Sequence, residues 1–169
     1  MTREGALVVV LVFAAALIGL AVWAWARRAR RDAGLPAPVG EAPAHAVTHA
    51  SFEALYVATT RHDEPLERLA IRGLGFRSRA GVLVTSEGVA LDLTGQPRMF
   101  VPLERIALAD QATVAIDRVV EPEGLARISW RTDDGTVVDS YFRPQDASSR
   151  DLVDAVRGIL LPTSTGTDA

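Results

Sequence analysis

Residues 136–162 read TVVDSYFRPQDASSRDLVDAVRGILLP, and the hydrophobic period changes once inside them. Up to Arg143 the composition suits a strand, with β-branched and aromatic side chains following the hairpin signal Asp133-Asp134-Gly135. Beyond Pro144 the period becomes helical: Leu152, Val153, Val156, Ile159 and Leu160 share one stripe, while Arg150, Asp151, Asp154 and Arg157 lie opposite. Asp146 or Ser148 can cap the start, and Pro162 stops any continuation. A last strand is therefore followed by an amphipathic helix with one buried face.

Upstream, short apolar runs alternate with turn signals from Ser51 onward, the pattern of an antiparallel β domain. The runs predict strands at 52–60, 76–85, 89–93, 98–102, 111–117, 125–132 and 136–143, with an irregular stretch around Pro65 and Gly73 between the first two. Turns fall at Ser86-Glu87-Gly88 and Thr94-Gly95-Gln96-Pro97. The expected fold is mainly β: a seven-stranded antiparallel barrel or sandwich over residues 51–161, capped by the C-terminal helix. Tyr56, Phe76, Phe100, Trp130, Tyr141 and Phe142 are the large aromatics, and most should be core, Trp130 first among them. Tyr141 and Phe142 are adjacent, so in one regular strand one of them must face outward. The tail 162–169 is expected to be disordered.

Residues 5–26 carry no charge, and twenty-two helical residues span roughly 33 Å, enough for a hydrocarbon core of about 30 Å. The stretch ends in Trp23 and Trp25, suited to a headgroup boundary, and then Arg27, Arg28, Arg30 and Arg31. A cleaved signal peptide would need a basic start, a shorter apolar core and a small-x-small site. Here Glu4 offsets Arg3 and bulky residues occupy the cleavage region. A single transmembrane helix is therefore predicted. Basic flanks stay cytoplasmic, which places residues 1–4 outside and 27–169 in the cytoplasm, at the plasma membrane. Residues 27–50, with Pro36, Pro38 and Pro43, are expected to form a basic juxtamembrane segment and an unpacked linker.

Charge divides along the same boundary. Residues 1–31 hold five Arg and one Glu, whereas 32–169 hold thirteen Arg against twenty acidic residues, so +4 is joined to −7. An acidic domain is a poor partner for nucleic acid. The chain has no Cys and no Lys, which excludes thiol, disulfide and lysine chemistry. No nucleophile elbow, phosphate loop or His-Glu-x-x-His motif occurs, and Gly73-Leu74-Gly75 lacks the context of a dinucleotide loop. His45 and His49 are four apart but have no further ligand nearby, and Asp133-Asp134 fits a turn better than paired catalytic acids. Neither an enzyme, a cofactor nor a metal is expected.

Four segments carry a resemblance: Leu55-Tyr56-Val57-Ala58-Thr59-Thr60, Arg72-Gly73-Leu74-Gly75-Phe76-Arg77, Ile116-Asp117-Arg118-Val119-Val120-Glu121-Pro122 and Val138-Asp139-Ser140-Tyr141. Together with seven strands and a terminal helix, they resemble single-pass membrane proteins of actinobacteria with a bacterial pleckstrin-homology (PH)-like domain. Such proteins are sometimes labelled export or transporter proteins. The resemblance implies a PH-like fold behind one membrane helix and assigns no activity.

Three functions remain in view. The first is a membrane-anchored interaction or scaffold domain holding a cytoplasmic protein or peptide at the inner face, without catalysis. The second is a module for anionic lipid headgroups, for which Arg61, Arg72, Arg77 and Arg79 are the candidate contacts, while Trp23, Trp25, Arg27, Arg28, Arg30 and Arg31 anchor the helix at the interface. The third is an accessory subunit of a transport or export system, since one helix cannot enclose a substrate path.

Overall fold

The structure, a computed structural model, describes residues 3–32, 35–115, 118–119 and 124–161. The chain divides into Met1–Gly34 and Leu35–Ala169. The first unit is one helix, α1 (Arg3–Asp32). Its apolar window, Leu7–Arg27, has a mean hydropathy of 2.8 and none of it is buried against protein, so it is long and apolar enough to cross a membrane.

The second unit is built on β1 (Thr48–Arg61), a long strand paired on both sides. On one side it meets β3 (Ser78–Thr85), followed outward by β4 (Gly88–Leu93) and β5 (Met99–Pro102). On the other it meets β10 (Val137–Pro144), then β9 (Leu125–Arg131) and β6 (Ile106–Ala112). All these pairs are antiparallel. β2 (Glu64–Arg68) folds back on the end of β1, and β7 (Val114–Ala115) pairs with β8 (Arg118–Val119). Against β10 the register of β1 slips between Tyr56 and Ala58, a bulge that increases the local twist.

One face of this sheet carries the core. Tyr56, Val82, Val84, Leu91, Trp130 and Phe142 pack there, joined by Leu152, Val153 and Val156 of α2 (Ser149–Leu160). The helix begins with a reciprocal cap: Ser148 Oγ accepts from Asp151 N–H at 3.2 Å, and the Asp151 carboxylate accepts from Ser148 N–H at 2.9 Å. The domain is thus mainly β, antiparallel, and covered by its C-terminal helix, as the change of period implied.

Several expectations are corrected. The second predicted strand begins at Ser78, two residues after Phe76, which lies in a loop at 87% exposure rather than in the core. Leu69, Ile71 and Leu74 of the same loop, each 1% exposed, fill that part of the core instead. The irregular stretch around Pro65 contains β2. The fifth strand starts at Ile106, not 111, while residues 116–117 and the tail 162–169 lie outside the described residues. Tyr141 and Phe142 do face opposite ways, yet both are buried: Phe142 in the main core, Tyr141 in a small cluster with Val57, Ala58 and Leu125.

The linker also packs, contrary to expectation. β1 takes in Thr48 and His49, and residues 38–40 run beside β5. Phe100 N–H donates to Pro38 O at 2.7 Å, and Gly40 N–H donates to Arg98 O at 3.1 Å. The physical reason is that proline lacks an N–H but keeps its carbonyl, so an extended Pro-rich stretch can still accept a bond along a sheet edge.

Candidate functional site

The arginines singled out in the sequence lie on β1, in the β2–β3 loop and on β3. Arg61, at the end of β1, is held by Glu67 of β2 at 3.3 Å. Arg72 and Arg77 lie in the β2–β3 loop and Arg79 on β3; all three are exposed and form no ion pair among the described residues. Beneath them the loop is closed. Leu69, Ile71 and Leu74 plug the space, and buried Tyr56 donates from its hydroxyl to Leu74 O at 2.8 Å. Burial raises the phenol's pKa above its ordinary value, so it stays a donor. Gly73 turns the loop at φ 85, with Met99 and Gln96 so close that a β-carbon would meet Met99 Cε at 2.8 Å. The loop therefore has a fixed base and a charged outer rim bearing Phe76.

The membrane-interface residues lie on α1. Trp23, Trp25, Arg27 and Arg30 are exposed, and the Arg27 guanidinium sits 5.5 Å from the Trp23 ring centroid, one helical turn away. Arg28 and Arg31 belong to the same helix, but their side chains lie outside the described residues.

A second constellation was not visible in the sequence. Asp139 on β10 is fully buried and accepts from Ser129 Oγ at 2.6 Å, Asp63 N–H at 3.1 Å and Arg127 Nη1 at 3.3 Å, with His62 Nδ1 at 2.8 Å. Arg127 also grips Asp110 with two nitrogens, at 2.7 and 2.5 Å, and touches Asp63 at 3.2 Å. Its hydrogen bonds to Asp110 are the main cause that holds the guanidinium firmly in its charged form. Strand register creates the cluster: Asp139 pairs with Ser129 and Asp110 pairs with Arg127, while the β1–β2 turn brings His62 and Asp63 over them. Asp63 takes a left-handed conformation, φ 58, which its short polar side chain tolerates.

His62, Asp63 and Asp139 offer ligand atoms within 4.8 Å of one another, a spacing that suits a cation. Arg127 lies against both carboxylates, 3.2 Å from Asp63 and 3.3 Å from Asp139, and supplies positive charge to the cluster. The turn acids behave likewise. Asp133 pairs with Arg105 at 2.6 Å, and Asp134 accepts from the Thr132 hydroxyl and from Thr136 N–H.

An open groove of about 490 Å³ lies beside the C-terminal half of α2, lined by His49, Ser86, Leu103, Asp154, Ile159 and Leu161 among others. Of the two histidines four apart in the sequence, His49 lies on β1, while His45 faces Glu87 at 3.8 Å.

A curved antiparallel sheet with a C-terminal helix laid on its core defines a PH-like domain. The chain belongs to the bacterial PH domain-like family, whose model matches residues 34–157. This family is one of non-catalytic scaffolds. A solved structure, the C-terminal domain of an unknown protein from Leishmania infantum, is similar at 10% identity with a TM-score of 0.45, over 70% of this chain and 88% of that one. No curated protein matches the chain.

Proposed function

We propose that this chain is a single-pass, membrane-anchored scaffold that holds a cytoplasmic protein or peptide against the inner face of the plasma membrane. The observation that carries the reading is the pairing of a PH-like domain with a helix apolar enough to span a bilayer. Between the last helical residue, Asp32, and Leu35 stand only Ala33 and Gly34. Anchoring raises the local concentration of a partner without needing a strong site.

The groove beside α2 offers a surface for a partner segment, combining apolar Ile159 and Leu161 with Asp154 and His49. Gly158 gives access to it for a test, because a β-carbon there meets nothing within 4 Å. Proximity labelling from the full chain should return a partner set that α1 joined to an unrelated domain does not. Gly158→Arg should erase that set. Identical sets from both proteins would refute the scaffold.

Orientation is part of the same proposal. Arg27, Arg28, Arg30 and Arg31 favour a cytoplasmic domain and an external N-terminus. A cytoplasm-specific reporter fused after Ala169 should be active. Activity of an external reporter at that position would reverse the topology.

A further inference from the structure

We propose that the groove beside the C-terminal half of α2 receives a short basic-apolar peptide segment, with its aliphatic side chains seated on Leu103, Ile159 and Leu161 and its Arg or Lys facing Asp154. The inference rests on the scaffold reading and adds to it the chemistry of the partner.

The walls of the groove come from parts of the chain far apart in sequence, and hydrogen bonds fix them together. Ser86 N–H donates to Val47 O at 2.9 Å and Val47 N–H to Ser86 Oγ at 3.1 Å, which ties the start of β1 to the β3–β4 turn. Leu103 N–H donates to Glu87 O at 2.8 Å, which ties the same turn to the short 3-10 helix Leu103–Arg105. α2 forms the remaining wall. At about 490 Å³ the groove falls within the roughly 300–1,000 Å³ of clefts that hold ligands. Walls already fixed lower the ordering cost of binding.

The wall made by α2 is low. Ala155 and Gly158 stand three apart on one face, and a β-carbon at Gly158 would meet nothing within 4 Å. Glycine inside a helix weakens it, so stability alone would favour alanine there. Leu161 just beyond is 70% exposed and Ile159 is half-buried, which leaves apolar surface uncovered at the groove.

Charge selects the occupant. Asp154 lines the groove, no Arg stands among its described lining residues, and Glu87 and Glu104 follow the lining residues Ser86 and Leu103 in the chain. Arg157, next to Gly158, is committed to Ala109 O of β6 at 2.8 Å. The His49 ring adds a group able to bond a peptide backbone. Such a surface attracts cationic segments and repels anionic ones, lipid headgroups included. The chain's own tail, residues 162–169, follows Leu161 but is a poor occupant, since it holds Asp168 and neither Arg nor Lys.

The test is selection from a phage-displayed library of random dodecapeptides against the full chain in neutral phosphatidylcholine nanodiscs. Nanodiscs holding α1 joined to an unrelated domain first remove peptides that bind lipid or the anchor. Enriched sequences should combine an Arg or Lys with aliphatic residues. Asp154→Arg should weaken the best of them, resynthesised, about tenfold or more, and Leu161→Ser about fivefold or more. Both positions are exposed, so the melting temperature should stay the same. Asp154→Arg should in turn prefer the peptide whose base is replaced by Glu, a reversal that a misfolded domain cannot produce. No enrichment, enrichment of acidic or purely apolar sequences, or binding indifferent to Asp154→Arg and Leu161→Ser would overturn the proposal. The two readings fail separately: a partner set still returned by proximity labelling leaves the scaffold standing when the peptide test fails.

Discussion

Arg127 and Asp110 face each other as direct cross-strand partners on β9 and β6, joined by two parallel bonds of 2.7 and 2.5 Å. This fork holds the guanidinium where its remaining nitrogen reaches buried Asp139. Removing one member of such a cluster leaves an uncompensated charge. Asp139→Ala and Arg127→Met should each lower stability by about 3–5 kcal/mol in thermal or urea denaturation. Arg127→Lys should recover little, because an ammonium cannot reproduce the fork.

Acid should weaken the domain through two surface carboxylates. Asp151 lies below the ordinary 3.8 because the Ser148 side chain and backbone bond to it. Asp134 is lowered likewise, first by the Thr132 hydroxyl and then by the Thr136 backbone. A depressed folded-state value contributes stability above the unfolded value and loses it as pH falls through the folded one. Stability should therefore decline below about pH 4, and Asp134→Asn with Asp151→Asn should flatten that decline in a pH series of urea midpoints.

Two glycines should respond in opposite directions to alanine. Gly88 has φ 146, and a β-carbon there would stand 2.2 Å from Val101 O. Gly88→Ala should cost about 1–3 kcal/mol or more. Gly158 is an ordinary helical position with open space, so Gly158→Ala should stabilise by about 0.5–1 kcal/mol. Paired melting curves decide both.

Tyr56→Phe removes the hydroxyl that bonds Leu74 O at 2.8 Å while leaving the ring beside Phe142, 5.8 Å between centroids. It should cost about 1–2 kcal/mol, because a buried carbonyl loses its donor. Hydrogen exchange should rise selectively in residues 69–77.

Much of the fold was legible because its strands alternate and its turns are marked. The run 89–93 and the change of period after Pro144 predicted β4 and α2 nearly to the residue. Phe76 was misplaced because an aromatic two residues before a strand looks like its first member, whereas the core position went to Leu74. Grouping Arg61 with Arg72, Arg77 and Arg79 followed their nearness in sequence. The hairpin into β2 then gave Arg61 to Glu67. His62, Arg127 and Asp139 left no signal, since they meet only through register, and register is a long-range property.

Residues 38–40 lie along β5, and Arg157 of α2 donates to Ala109 O of β6 at 2.8 Å. β5 and β6 are the two ends of the sheet, so each terminal strand is covered by the chain's own backbone or helix. Bare strand edges are templates for pairing with another molecule. Covering of both end strands by the chain itself leaves less free edge for a strand of another copy to extend.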